Sequence, residues 1–254
     1  MPHQNILLST LPKPLKKSLR SAQSSISSVF IKNFGKKYDS ELAFWRSRLE
    51  IDNGTFSNAH YERIMLGMAQ ESNKEFLRGK VVADFGCGPR GSLTWGNTAL
   101  LRIGIDVLAD RYADEFTDNI VSHNMVYLKS TEKVIPLPSN FVDIMFTLNA
   151  IDHVYNFHTM CNEILRILKP GGTFIGSFNL EEPASVTEPQ RLTENILKEN
   201  LLAHLDIESY RLSRREPEGD TYAPFLNGTQ SYTPGDEGFL WVRARKSGET
   251  SISS

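Results

Sequence analysis

Val81-Val82-Ala83-Asp84-Phe85-Gly86-Cys87-Gly88-Pro89-Arg90-Gly91 is the stretch on which the reading of this chain turns. A short apolar run that stops at glycines reads as a strand buried on both faces. The glycines follow as Gly86-x-Gly88-x-x-Gly91. They allow a tight turn with positive φ and leave room for a ligand against the backbone. A loop in that position lies at the carboxyl edge of the first strand, where open α/β sheets bind ligands. The glycine spacing alone is a weak motif.

The next strand strengthens it. Arg102-Ile103-Gly104-Ile105-Asp106 ends on a carboxylate 20 positions after Gly86. A carboxylate there can accept hydrogen bonds from both hydroxyls of a ribose. The same residue can also serve as a helix N-cap.

Outward from this pair, strands and helices alternate. Strands are expected at 80–85, 101–106, 125–128, 141–148, 173–179, 207–214 and 237–246. Helices are expected at 92–100, 109–116, 153–168 and 192–205, with Lys169-Pro170-Gly171-Gly172 ending the third. This pattern predicts an α/β, doubly wound, mostly parallel seven-stranded sheet of Rossmann-like type. The loop before the last strand has no helical period, so that strand is expected to be antiparallel.

Charge divides the chain. Residues 1–38 hold seven Lys or Arg and no acid, whereas the whole chain carries net charge −2. Leu15, Leu19, Ala22, Ile26, Val29 and Phe30 recur at helical steps within that arm. Three roles stand open for residues 12–37: peripheral contact with an anionic membrane, a targeting peptide, or an extension packed on its own domain. Helices at 40–51 and 58–70 form a helical extension, so the expected organisation is arm 1–38, helical cap 39–78, main domain 79–246 and polar tail 247–254. The protein is expected to be cytoplasmic.

Four segments in order resemble the class I S-adenosylmethionine-dependent methyltransferases, closest to their type 11, small-molecule group. They are Val82-Ala83-Asp84-Phe85-Gly86-Cys87-Gly88, Gly104-Ile105-Asp106, Phe141-Val142-Asp143-Ile144, and the run from Ile164 to Gly172. The resemblance implies that S-adenosylmethionine is the cofactor. It implies that Asp84 orients the loop and meets the amino group of the methionine moiety, directly or through water. Gly86, Cys87, Gly88 and Gly91 would lie along the cofactor, Asp106 would hold the ribose, and Asn149 and Ala150 would line the cleft. The family's adenine-binding acid falls at Ser130 or Thr131, so Glu132 either replaces it or is simply exposed. Arg90 departs from the pattern. It either meets a carboxylate of cofactor or substrate or points to solvent.

His153 follows the fourth strand at a position where the family often carries a histidine. It is the candidate catalytic base, since imidazole titrates near neutrality; the alternative is support of the cleft wall. Asp152 is expected to cap the helix that follows. His60 and Tyr61 are candidates for lining an acceptor pocket.

Other functions fit less well. Asp84 inside the strand and the Asp-Phe-Gly-Cys-Gly-Pro run argue against a nicotinamide dehydrogenase. Two cysteines give neither a disulfide scaffold nor a four-cysteine zinc site, and no metal-ligand spacing occurs. The acidic main domain disfavours DNA, and the motifs of amino-methylating nucleic-acid enzymes are absent. The expected acceptor is a small molecule, a glycan or a lipid-linked precursor. A methyltransferase for RNA or protein, and a silent cofactor-binding scaffold, stand as alternatives.

Overall fold

The computed structural model describes residues 35–215, 222–227 and 231–248. Most of the arm at 12–37 and of the tail at 247–254 lies outside the described residues. Two compact units divide between Arg46 and Ser47. In the first, residues 35–46 are helical, Leu42 is buried, and Phe44 and Trp45 meet edge to face at 5.0 Å. This helix, α1, runs over 35–51.

The second unit holds the sheet. Its strands are β1 (Val81–Phe85), β2 (Leu101–Asp106), β3 (Val126–Lys129), β4 (Val142–Leu148), β5 (Leu168–Leu180), β6 (Leu205–Arg214) and β7 (Gly238–Lys246). Their order is β3-β2-β1-β4-β5-β7-β6. Strands β1 to β5 pair in parallel, while β7 inserts antiparallel between β5 and β6. The expected sheet and its antiparallel last strand are therefore present. Chain order reverses direction between β1 and β4, which opens a crevice at their carboxyl ends.

Burial follows the two-residue period of a strand. Val81, Ala83 and Phe85 enter one core, and Val82 enters the other. Leu240, Val242 and Ala244 of β7 face the first core, whereas Phe239 and Trp241 face the second. The first core is closed by Met160, Cys161, Ile164 and Ile167 of α5 (Phe157–Ile167). The second is closed by Ile64, Met65, Met68 and Ala69 of α2 (His60–Ala69). Trp241 stacks on Phe225 at 4.5 Å, from a short helix that the sequence did not announce.

Several expected boundaries shift. Residues 92–100 form successive turns rather than a helix. Arg102 takes the carbonyls of Leu93 and Thr94, at 3.3 and 2.9 Å, which a helix would need for its own amides. The expected helix at 153–168 begins only at Phe157, after a 3-10 turn over Ile151–His153. The expected helix at 109–116 is α3 (Ala109–Glu115), and a further helix α4 (Thr117–Ser122) follows it. The span 192–205 reduces to α6 (Glu194–Asn200) and a 3-10 turn.

Candidate active site

The glycine loop begins where β1 ends. Gly86, Gly88 and Gly91 all have positive φ, at 74°, 57° and 75°. Gly86 N donates to Ile105 O at 2.8 Å, which ties the turn to β2. A Cβ on Gly86 would overlap the methyl of Ala150, so the loops after β1 and β4 touch at the point where strand order reverses. Behind the third glycine, a Cβ on Gly91 would lie 2.6 Å from the His123 ring, which is bonded to the Tyr127 hydroxyl at 2.8 Å.

Asp106 sits at the end of β2 and faces the loop. Its Oδ2 accepts from Gly88 N at 3.1 Å and its Oδ1 from Leu108 N at 2.9 Å. The helix-cap reading fails, because α3 has Leu108 as its N-cap and no side-chain cap; Asp106 instead braces the loop and the first amide past Val107. A carboxylate oxygen can accept more than one hydrogen bond.

Asp84 is 2% exposed and faces the same crevice. Ser92 Oγ donates to its Oδ2, while its Oδ1 is buried with no hydrogen-bond partner. Burial pushes its pKa up to about 7, the Ser92 hydrogen bond works the other way, and the Asp106 charge adds to the rise. A buried carboxylate with a missing partner is costly on its own. Tyr61 lies within electrostatic reach of Asp84 and Arg90, and burial raises its pKa. Arg90 does not point to solvent: its Nη2 binds Asp52 Oδ2 at 2.7 Å, and its Nε is buried and unpartnered.

The sign of Asp84's contribution to stability can be worked out. Its folded pKa of about 7 lies above the ordinary value of 3.8, so the folded chain holds this proton more tightly than the unfolded one. Stability from this group is present below pH 4 and is lost as pH rises towards 7. The full penalty is of the order of 4 kcal/mol. Asp84→Asn removes the charge and keeps an oxygen for Ser92. Its melting temperature is expected to exceed that of the parent at pH 8, with the gap closing by pH 4. A gap that does not change with pH would show that Asp84 is not the titrating group.

The remaining sequence candidates are spread around the same edge. Asn149 has φ 45°, donates its amide to Ser177 O at 2.9 Å and accepts from Ser177 Oγ at 2.9 Å. Cys87 is buried against Gly104, and burial raises its thiol pKa well above the ordinary value. Glu132 Oε2 accepts from Tyr155 N at 2.9 Å and Asn156 N at 3.3 Å, just before α5. Ser130 is buried and its amide bonds Asp106 O at 3.1 Å; Thr131 Oγ1 instead receives the Lys133 and Val134 amides within its own turn.

His153 is in the 3-10 turn after β4. Its Nε2 lies 3.6 Å from Glu188 Oε1 and 4.0 Å from Asp152 Oδ1. Asp152 does not cap the next helix, because the chain runs extended through Val154 before α5 starts. It is buried instead, with Oδ2 accepting from Asn179 Nδ2 at 3.1 Å. Asn179 and Glu188 were not among the sequence candidates. They come from the end of β5 and the loop beyond, and no local motif marks them. Ser92 was missed too, since only the folded turn brings it to Asp84. Among the described residues no group of acids, histidines and cysteines is placed to hold a metal ion. None of the described helices is long and apolar enough to cross a membrane.

Comparison with known proteins agrees with this geometry. The methyltransferase-domain family matches residues 83–176, the span from β1 into β5. A protein of Mycobacteroides abscessus described as an uncharacterized methyltransferase is 29% identical over 114 residues, 44% of this chain and 44% of that protein. The matched region thus spans less than half of the curated relative. Among solved structures, a candidate sarcosine dimethylglycine methyltransferase from Galdieria sulphuraria aligns with TM-score 0.57 and 13% identity, covering 82% of this chain and 98% of that one. The 4+2 cyclase SpnF aligns with TM-score 0.53 and 20% identity, covering 73% and 82%. Those identities establish the fold, and a cyclase among them shows how little the fold fixes the reaction. The family match, the sheet order and the glycine loop held by Asp106 together identify the span from β1 into β5, residues 83–176, as a methyltransferase domain of the S-adenosylmethionine-dependent type.

Proposed function

We propose that the protein binds S-adenosylmethionine in the crevice between β1 and β4 and transfers its methyl group to a small-molecule acceptor. The observation that carries this reading is the buried, unpartnered Asp84 Oδ1 beside a glycine loop already braced by Asp106. The residues fit the group. Asp84 would receive the ammonium of the methionine moiety, Gly86 and Gly88 would admit the backbone of the loop against it, and Asp106 would accept from the ribose hydroxyls. Glu132, held through Oε2, would offer Oε1 to the adenine amine. When bound, the cofactor supplies a sulfonium methyl that is electrophilic without further activation.

The chain's own part is then positioning and proton transfer. Holding an acceptor in line can contribute about 7 kcal/mol or more. Glu188 and Asp152 face Nε2 of His153 and favour the imidazolium that forms when the ring acts as a base. The ring then takes the acceptor's proton.

Calorimetry with S-adenosylmethionine and S-adenosylhomocysteine tests the binding; absence of saturable binding of either rejects the reading, as would tighter binding of a nicotinamide dinucleotide. With an acceptor in hand, His153→Gln is expected to lower turnover by about 100-fold or more while cofactor affinity stays the same. Equal loss of both would make His153 a wall residue.

The enzyme is further proposed to work in the cytoplasm, with residues 12–37 touching anionic membrane. Their charge and helical period support this reading. The full chain is expected to float with anionic vesicles, and deletion of residues 1–37 to abolish flotation. Flotation unaffected by the deletion rejects the membrane role.

A further inference from the structure

A second set of carboxylates lies at the same edge of the sheet, away from Asp84. Asp152 follows β4, and Glu182 follows β5. Asp152 has a side chain only 4% exposed. Asn179 satisfies its Oδ2, but Oδ1 has no hydrogen-bond partner and faces His153 Nε2 from 4.0 Å. Glu182 gives Oε1 to Arg215 Nη1 at 2.8 Å, and its Oε2 is buried with no partner. Glu188 Oε1 stands 3.6 Å from the same His153 nitrogen. The two acids sense one another: burial raises the Asp152 pKa, the Glu182 charge adds to the rise, and His153 opposes it.

The cations nearby are already committed. Arg215 spans Glu182 and Glu237, and Arg191 binds Glu181 at 2.9 Å. Asp152, Glu181, Glu182, Glu188 and Glu237 thus outnumber Arg191 and Arg215, even with a protonated His153 counted among the cations. Buried acceptor oxygens without donors are uncommon in folded proteins, and each calls for a reason. A donor from outside the chain supplies one. A ligand carboxylate or phosphate would meet like charge here, and a neutral hydroxyl would leave the excess negative charge unbalanced. A protonated amine brings both the donors and the opposite charge.

We propose that Asp152 and Glu182, with Glu188 and His153, form the acceptor subsite and select an acceptor that carries an ammonium group. This rests on the reading of the crevice as a methyltransferase site and names the acceptor class that this reading leaves open.

The test uses the full chain saturated with S-adenosylhomocysteine, so that Asp84 is already engaged. Phenethylamine, phenylacetate and 2-phenylethanol, matched in size, are titrated at neutral pH. The amine is expected to bind saturably and at least about tenfold more tightly than the alcohol, with no binding of the carboxylate. Asp152→Asn and Glu182→Gln are each expected to weaken the amine about tenfold. S-adenosylhomocysteine affinity is expected to be unchanged in both, which also reports that they fold. Should Asp152→Asn fail to fold, Glu182→Gln, at a side chain 25% exposed, decides alone. Equal binding of the alcohol, binding of the carboxylate, no saturable binding of the amine, or amine affinity unmoved by a folded variant would each overturn the inference. Failure of S-adenosylhomocysteine itself to bind would instead overturn the reading on which it rests.

Discussion

Asp106→Ala is expected to weaken S-adenosylhomocysteine binding by about 100-fold or more, measured by calorimetry on the full chain. Two losses combine. The carboxylate now accepts from Gly88 N and Leu108 N, and hydrogen bonds to a charged group contribute about 1.5–3 kcal/mol each. Without them the loop loses its brace and must be ordered by the ligand. On the proposed binding mode the ribose hydroxyls would lose their acceptor as well. Asp106→Asn separates the two: its amide keeps one acceptor but turns an NH2 towards one of the two backbone amides. It is expected to fall between the parent and the alanine variant. An alanine variant that binds as tightly as the parent would remove Asp106 from the site.

The second large effect is on stability. Gly86→Ala is expected to cost several kcal/mol in chemical denaturation and to abolish cofactor binding. The φ of 74° costs a residue with a Cβ about 1–2 kcal/mol. The new methyl also collides with that of Ala150, from the loop after β4. Neither loop can yield easily, because Gly86 N is tied to Ile105 O and Asn149 is tied to Ser177. The double variant Gly86→Ala, Ala150→Gly removes the collision and keeps the backbone strain. It is expected to recover part of the lost stability and not all. Full stability in the single variant would mean that the two loops do not touch.

The two variants divide the site's design into its parts. Gly86 makes room and Asp106 makes order, and both act through backbone that belongs to the loop. Asp84 differs, since its charge is a burden to the empty chain and, on the proposed binding mode, would be an asset once the cofactor's ammonium arrives. Its neutral variant is therefore expected to be more stable at pH 8 and a poorer binder, a trade common at functional sites.

The fold was legible because its signals are local. Val81 to Phe85 is apolar throughout since β1 is covered on both faces, and glycine is the residue that turns there at little cost. Asp106 could be placed because a strand end is a fixed point on the sheet edge. Helix ends were less legible. The turns at 92–100 exist because Arg102, on another element, takes two carbonyls. The late start of α5 goes with Glu132 on the Tyr155 and Asn156 amides.

The sequence by itself determined the order of strands and helices, the glycine turn and the carboxylate at the end of β2, since each depends on residues adjacent along the chain. Only the tertiary structure decided that Arg90 meets Asp52, that Ser92 donates to Asp84, and that Asp152, His153, Glu182 and Glu188 share one corner. Those encounters join stretches from separate loops, and their distances are set by how the sheet stacks its strands, which no local pattern of residues encodes.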